Sequence, residues 1–227
     1  MKEEALNNFQ MNILRKISDS NLPKVLEEKS LPYKELMAYY KCAMLEVSTK
    51  FDVLNEELSL KYDRNPIETI KTRLKSPESI AKKIQQKRIL PTIENIENNI
   101  NDIAGIRVIC SFPSDIYLLA DALSNQDDIK VIERKDYMKN PKPNGYRSLH
   151  LIIEIPIFLY ERKKYMKVEV QFRTISMDWW ASLEHKIRYK KDVTITDDIS
   201  NELLMCAEIG AELDARMEAI QRKVNNS

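Results

Sequence analysis

Three patterns of apolar and polar residues run along the chain, and each predicts a different element. Between Lys34 and Leu60, apolar residues recur at alternating steps of three and four, which predicts one long amphipathic helix. Between Lys167 and Arg173, charged and apolar residues alternate, which predicts a strand with one charged face. A nearly continuous apolar run, roughly from Gly105 to Phe112, predicts a buried strand.

Shorter patterns fill the rest of the chain. They predict a short amphipathic helix within residues 1–30, a strand through Ile70 to Leu74, a helix capped by Ser76, a polar linker over residues 94–101, a helix from Pro113 to Asn125, a strand from Ile129 to Ile132, and a helix capped by Thr174 or Ser176. A strand, a helix and a strand followed by two more strands indicate an α/β (α+β) fold, with a mixed sheet flanked by helices.

The last predicted helix, from about Asp197 to Val224, carries apolar residues at heptad spacing, with Gly210 in the same seam. Packing against the long amino-terminal helix is the simpler explanation, and assembly of subunits through the same helices is its competitor. We divide the chain into an amino-terminal helical extension (1–62), a core (63–192) and a carboxy-terminal helix (193–227).

Composition excludes several classes of site. The chain has only three glycines and no G-x-G-x-x-G or Walker pattern, so side chains must hold any phosphate. Its net charge of +1 argues against non-specific duplex binding. The three cysteines are far apart and the two histidines form no metal motif, so neither a disulfide nor a zinc site is expected. Without a membrane-length apolar run or a signal-peptide core, we expect a cytoplasmic protein.

The stretch from Lys135 to Thr174 carries the candidate chemistry. A basic loop stiffened by two prolines delivers Tyr146 to the start of a strand, and Glu169 lies among cations on the next strand. An aromatic side chain, cations and one carboxylate suit an anionic ligand that carries a ring, which indicates a nucleotide.

Two further features allow a functional and a structural interpretation. The cations of the strand ending at Leu74 lead into a helix amino terminus, where they could cradle a polyphosphate, although a solvated basic helix face is commoner. Arg107 lies inside an apolar run and is costly there unless paired. It is therefore either a site residue or half of a structural ion pair.

Four motifs together resemble the small alarmone synthetases, single-domain relatives of the synthetase domain in the Rel/Spo enzymes of the stringent response. They are Arg73–Ser79, Asp102–Arg107, Lys135–His150 and Glu169–Thr174. The resemblance implies a nucleotidyltransferase-like fold and a GTP diphosphokinase. In that reaction the 3′-hydroxyl of GDP or GTP attacks the β-phosphorus of ATP, giving (p)ppGpp and AMP. No hydrolase domain is expected, so the chain would make the alarmone without degrading it.

The resemblance also implies roles for individual residues. Asp102 and Glu169 would bind Mg²⁺, and Glu169 would accept the proton of the 3′-hydroxyl. The residues implied to bind ATP are Lys75, Ser79 and Lys83 at the phosphates, and Arg73 and Arg107 stacked on adenine. The residues implied to bind the acceptor nucleotide are Tyr146 stacked on guanine, Lys135, Lys142 and His150 at phosphates and ribose, Asn144, and Asp178 reading the guanine edge. Gln171 and Arg173 would support them.

Several questions stay open at the level of sequence. The motif Glu133-Arg-Lys-Asp mixes an acidic first and a basic third position, so it does not decide between GDP and GTP. The family implies a homotetramer, and in some relatives single-stranded RNA or the alarmone acts as regulator. The alternative function is a catalytically weak nucleotide- or RNA-binding regulator that uses the same pocket. A different nucleotidyltransferase, releasing pyrophosphate, is a third possibility.

Overall fold

The computed structural model describes residues 31–188 and 196–225, and the helix predicted within residues 1–30 lies outside them. The elements in chain order are α1 (Leu31–Tyr62), β1 (Ile67–Leu74), α2 (Pro77–Lys87), α3 (Ile93–Asn99), β2 (Ala104–Cys110), α4 (Pro113–Ser124), β3 (Lys130–Asp136), β4 (Leu149–Phe158), β5 (Lys163–Thr174), α5 (Ile175–Arg188) and α6 (Asp197–Asn225). Among these helices, none is both long and apolar enough to cross a membrane.

The five strands form one mixed sheet in the order β1-β2-β5-β4-β3. β2 and β5 run parallel, and the other neighbours are antiparallel. The register places Gly105 of β2 between Arg73 of β1 and Glu169 of β5. The predicted mixed sheet flanked by helices is confirmed, and its register brings distant polar residues into one row.

α1 closes the apolar face of the sheet. Its inward stripe includes Tyr40, Val47 and Phe51, which are almost fully buried. Phe51 meets Phe172 of β5 edge to face, with ring centroids 5.6 Å apart. Since side chains alternate along a strand, Glu169 and its polar neighbours lie on the opposite face. The predicted division of the chain at residues 62 and 192 stays a prediction. The buried residues of α1 belong to the same core as the strands.

Two predicted elements need correction. Residues 94–101 are not a polar linker, because they contribute most of α3, which Thr92 caps by accepting from the Asn95 backbone N–H at 3.2 Å. Ile96 and Ile100 are buried, so two apolar residues four apart suffice to anchor this short helix among polar ones. β3 also runs beyond Ile132 to Asp136. As an edge strand with an exposed, charged end, it lacks the apolar alternation that marks a strand in sequence.

α6 does not pack where the simpler interpretation placed it. Its main contacts within the described residues are with α5 and α4 rather than α1, so that prediction is wrong. Leu203 and Ala207 are buried, whereas later positions of the predicted seam, such as Leu213 and Met217, are about half exposed. Gly210 lies against α5, where its carbonyl accepts from the Ser176 hydroxyl at 3.3 Å. Subunit assembly through the exposed apolar stripe stays a prediction.

Candidate active site

Two cavities open on the polar face of the sheet, on either side of β5. The first cavity has a volume of about 390 Å³ and is lined by Lys71, Arg73, Lys75, Asp102, Gly105, Ile106, Arg107, Glu169 and Gln171. The second cavity has a volume of about 180 Å³ and is lined by Glu133, Lys135, Tyr137, Lys142, His150, Ile152 and Glu169. Glu169 lines both, so one carboxylate faces two neighbouring binding spaces.

Asp102 supplies the other carboxylate of the first cavity. Its Oδ2 accepts from Lys75 Nζ at 3.0 Å and from Lys83 Nζ at 2.5 Å. Its Oδ1 is buried and finds no hydrogen-bond partner in the part of the chain that the structure describes. Burial raises the pKa of Asp102, but the bonds from the two lysines outweigh burial and hold the pKa below its ordinary value. Asp102 is therefore ionised at neutral pH, with one oxygen unused.

Glu169 is held by a hydrogen bond to each of its oxygens. His150 Nδ1 lies 3.2 Å from Oε1, and Gln171 Nε2 donates to Oε2 at 2.9 Å. Burial raises the pKa of Glu169, but the bonds from His150 and Gln171 outweigh it, so the pKa lies below its ordinary value. An ionised, oriented carboxylate of this kind is suited to accept a proton.

Glu169 and four neighbouring side chains close a ring of hydrogen bonds. Arg173 Nη2 donates to the Tyr146 hydroxyl at 2.9 Å and to Gln171 Oε1 at 3.1 Å. The Tyr146 hydroxyl lies 2.9 Å from His150 Nε2. Because ionised Glu169 only accepts, His150 donates to it from Nδ1. The ring therefore fixes the orientation of the His150 imidazole and the direction of the Glu169 carboxylate.

Asp178, in the first turn of α5, collects cations from three strands. Its Oδ1 accepts from Arg107 Nη1 at 3.0 Å and from Arg173 Nη1 at 3.1 Å, and its Oδ2 accepts from Lys71 Nζ at 2.8 Å. Burial raises the pKa of Asp178, but these cations outweigh it and hold the pKa below its ordinary value. Arg107 is therefore ion-paired, as its structural interpretation expects, and it also lines the first cavity, while its role as a site residue stays a prediction.

The loop before β4 brings aromatic rings and a cation to the second cavity. Gly145 has φ of 87°, and its N–H donates to the Lys142 carbonyl at 2.8 Å, which closes a tight turn. Lys142 Nζ lies 4.7 Å from the centroid of the Tyr137 ring and 4.9 Å from that of Tyr146. The Tyr137 ring meets the His150 ring edge to face at 5.4 Å. A cation and two aromatic rings, those of Lys142, Tyr137 and Tyr146, therefore lie close together in this loop.

The structure brings most of the predicted site residues together. Those that line the first cavity are Arg73, Lys75, Asp102, Arg107 and Glu169, and those that line the second are Lys135, Lys142, His150 and Glu169. The predicted residues outside both linings are Ser79, Lys83, Asn144, Tyr146 and Asp178. Of these, three contact lining residues directly: Lys83 through Asp102, Tyr146 through His150, and Asp178 through Lys71 and Arg107.

Two of the others hold the surrounding loops and helices. The Ser79 hydroxyl accepts from Ser76 Oγ at 3.1 Å at the start of α2. Asn144 Nδ2 donates to Glu184 of α5 at 3.1 Å, and Asn144 Oδ1 accepts from the Tyr146 backbone N–H at 3.2 Å. These contacts join the loop of the second cavity to α5.

Two polar lining residues, Lys71 and Tyr137, had no individual role predicted from the sequence, although Lys71 was among the strand cations that could cradle a polyphosphate. Lys71 lies on the charged face of β1, two residues before Arg73, so its alternation was a usable signal. Tyr137 follows β3 directly and belongs to the matched Lys135–His150 motif. Nothing local separates Tyr137 from an ordinary surface tyrosine, because its partners His150 and Lys142 come from later in the chain.

Comparisons with known proteins agree with this geometry. Residues 72–194 match the family described as a region found in RelA / SpoT proteins. The GTP pyrophosphokinase YwaC of Bacillus subtilis is 44% identical over 205 residues, covering 90% of this chain and 96% of that protein.

Solved structures show the same relationship. The small alarmone synthetase 2 from Bacillus subtilis superposes with a TM-score of 0.76 at 44% identity, over 84% of this chain and 98% of its own. The small alarmone synthetase 1 from the same organism, bound to its product pppGpp, has a TM-score of 0.76 at 31% identity, over 85% and 97%. This chain therefore belongs to the RelA/SpoT family, among its small alarmone synthetases.

Proposed function

We propose that this protein transfers the β,γ-pyrophosphate of ATP to the 3′-hydroxyl of GDP or GTP. The 3′-oxygen forms a bond to the β-phosphorus, the bond from that phosphorus to the α,β-bridging oxygen breaks, and AMP leaves with that oxygen. The proton of the 3′-hydroxyl goes to Glu169. The position of Glu169 carries the proposal, because this ionised carboxylate lines both cavities and so faces the contact between two bound nucleotides.

The first cavity suits ATP. Arg73 and Arg107 lie on adjacent strands, and their planar guanidinium groups suit stacking on adenine. Lys75 and Lys83 suit the phosphates, with Ser79 at the amino terminus of α2, where helix dipole and free N–H groups favour an anion. Both lysines are bonded to Asp102, and each ammonium group has further N–H donors with which to bind a phosphate.

Asp102 and Glu169 are the residues that would hold Mg²⁺. The buried, unpartnered Oδ1 of Asp102 fits a cation ligand, and oxygen is the ligand atom that Mg²⁺ prefers. Within residues 31–188 and 196–225, no group of three or more His, Cys, Asp or Glu side chains is placed to hold a metal ion, so protein side chains alone do not complete the site. Phosphate oxygens would complete the site, and the metal would supply charge neutralisation at the transferred pyrophosphate.

The second cavity suits the acceptor nucleotide. Lys135 and Lys142 supply positive charge for its phosphates, and His150, which bonds Glu169, would contact the ribose. Tyr146 offers a ring for guanine, and Asn144 shapes the loop that carries it. Lys135 is paired with Glu133 at 2.9 Å, so the cavity holds both signs of charge, and we propose that it takes either GDP or GTP.

We propose that Asp178 reads the guanine edge, and its present hydrogen-bond partners restrict that role. Both of its oxygens already accept from cations. Reading guanine N–H groups therefore requires spare lone pairs or the release of Lys71, the most exposed of the three partners.

The decisive experiment incubates purified protein with ATP, GDP and Mg²⁺ and follows AMP and the 3′-diphosphate of GDP. We expect equal amounts of both products, and no turnover when Mg²⁺ is omitted. Glu169→Gln should abolish turnover while nucleotide binding and the fold persist. Glu154→Gln is the matched control, because it makes the same change on the neighbouring strand outside both cavities.

Two other outcomes would overturn the proposal. Binding of both nucleotides without turnover would favour the nucleotide- or RNA-binding regulator, and release of pyrophosphate in place of AMP would indicate a different nucleotidyltransferase. An active Glu169→Gln variant would remove Glu169 from its role as the base.

We also propose that the chain assembles as a homo-oligomer, a tetramer by analogy with its family. The exposed apolar stripe of α6 supports this, because Ile209, Leu213 and Met217 are each at least half exposed. Single-stranded RNA and the alarmone remain candidate regulators of the enzyme, and titrating either one into the synthesis assay tests this.

A further inference from the structure

The loop of the second cavity rests directly on α6. At Gly145, an added Cβ would lie 2.6 Å from the Ala207 Cβ and 3.1 Å from the Leu204 Cδ1. The first distance is shorter than van der Waals contact allows. Glycine on the loop and alanine on the helix together permit this approach, so the size of residue 207 limits how deeply the loop can lie.

Tyr146, the next residue, continues this contact toward the catalytic centre. Its ring packs against the buried cluster of Trp180, Leu203 and Ala207, and Trp180 Nε1 donates to the Leu203 carbonyl at 2.8 Å. The Tyr146 hydroxyl then meets His150, which bonds Glu169. An unbroken set of contacts thus joins the inner face of α6 to the proposed base.

α6 is itself anchored at the amino termini of two other helices. Asp214 Oδ2 accepts from the hydroxyls of Thr174 and Ser176, each at 2.6 Å, where α5 begins. Glu218 Oε1 accepts from the Ser114 backbone N–H at 2.9 Å, where α4 begins. Carboxylates are favoured at helix amino termini, because the dipole and the free N–H groups are positive there. These two anchors fix the position of α6 relative to the sheet, and α6 is the surface on which the loop rests.

We propose that α6 positions the acceptor nucleotide, with Ala207 as the residue that sets the height of the loop over residues 142–146. Ala207 contacts no substrate and acts through Gly145 and Tyr146. This inference rests on the proposed function, and it deepens that function by making the carboxy-terminal helix part of the acceptor site. No residue of α6 lines the first cavity, so ATP binding does not depend on the contact between α6 and the loop.

The first test enlarges the side chain at position 207. Ala207→Leu should lift the loop and raise the KM for GDP by about tenfold or more, since a misplacement of about 1 Å can cost about 100-fold in rate. The KM for ATP should stay unchanged. Ala215→Leu is the matched control, because it makes the same change at an exposed position of α6. A rise of both KM values together, or of neither, would overturn the inference.

The second test relieves the contact and also decides the matter if Ala207→Leu does not fold. Gly145→Ala should raise the KM for GDP, and adding Ala207→Gly should restore part of the loss by removing the atom that the new Cβ meets. Adding Ala215→Gly instead places glycine in the same helix without that relief and should restore nothing. Equal behaviour of the two double variants would show that only the positive φ of Gly145 matters. Wild-type turnover in the same assay tests the proposed function separately.

Discussion

At the scale of single residues, the site consists of charges that neutralise one another across the sheet. Asp178 pairs with Lys71 of β1, Arg107 of β2 and Arg173 of β5. Arg173 is buried, so each of these charges depends on its partners. Removing one of these charges would therefore change both the charge of the nucleotide cavities and the stability of the sheet.

The first prediction concerns Asp178→Asn, which removes the charge and keeps the size. Because folding lowers the pKa of Asp178, its contribution to stability is present above its ordinary pKa and is lost as the pH falls through the folded value. We expect the variant to lose about 3 kcal/mol at neutral pH, the lower end of the range for a broken buried ion pair. Urea unfolding should show the difference shrinking below a pH of about 4. A difference independent of pH would contradict this.

The second prediction concerns Gln171→Met, which removes the hydrogen bond to Glu169 Oε2 at similar volume. Losing a donor to the carboxylate should raise the pKa of Glu169, so the acid limb of the kcat profile should move to higher pH. The measurement is kcat against pH at saturating ATP and GDP. An unmoved limb would show that His150 alone sets the ionisation of the base.

At the scale of elements, side-chain caps decide where several helices begin. Ser76 accepts from the Ser79 backbone N–H, Thr92 from that of Asn95, and Thr174 from that of Met177. Thr174 and Ser176 were equal candidates for the cap of α5, and the structure assigns it to Thr174, with Ser176 bonded to Asp214 instead. Thr174 also donates to Asp214, so this cap joins three elements: β5, α5 and α6.

The third prediction compares Thr174→Val with Thr92→Val. Both remove a cap, which costs about 1 kcal/mol each. Thr174→Val also leaves the partly buried Asp214 without one of its donors, so we expect a total loss of about 2–3 kcal/mol. Chemical denaturation of the two variants measures the difference. Equal losses would mean that the bond to Asp214 contributes nothing.

At the scale of the whole molecule, the sheet has one closed and one open face. α1 covers the apolar face, while the polar face presents both nucleotide cavities. Beyond them, the outer side of α6 and residues of α5 line an apolar groove of about 630 Å³, which includes Trp179, Ile209 and Leu213. The groove lies on the same helix that seats the loop, so assembly through it would act close to the acceptor site.

The fourth prediction separates folding from assembly. Leu213→Glu places a charge on a side chain that is 55% exposed, so the free energy of unfolding of the monomer should change by about 0.5 kcal/mol or less. Light scattering should show a smaller particle than the wild type. Ala215→Glu, two residues away and exposed, should keep the wild-type mass. A monomeric wild type, or an unchanged mass in the variant, would contradict assembly through this stripe.

The elements with strong periodicity were predictable from sequence, and so was much of the site. The long helix α1, the alternation of β5 and the cap at Ser76 each depend on residues a few positions apart. The motifs also predicted that Asp102 and Glu169 meet, and both line the first cavity. In each case the signal lies in short-range spacing or in one compact motif.

Tertiary structure decided the rest, because those features depend on partners that local pattern does not contain. α3 is anchored by only two buried isoleucines, and β3 ends in charged residues that pair with β4. The three cations at Asp178 come from strands up to 107 positions away, and the seat of Gly145 is a contact with α6. Apolar periodicity shows which face of an element turns inward, but the register of the sheet determines which distant charges then meet.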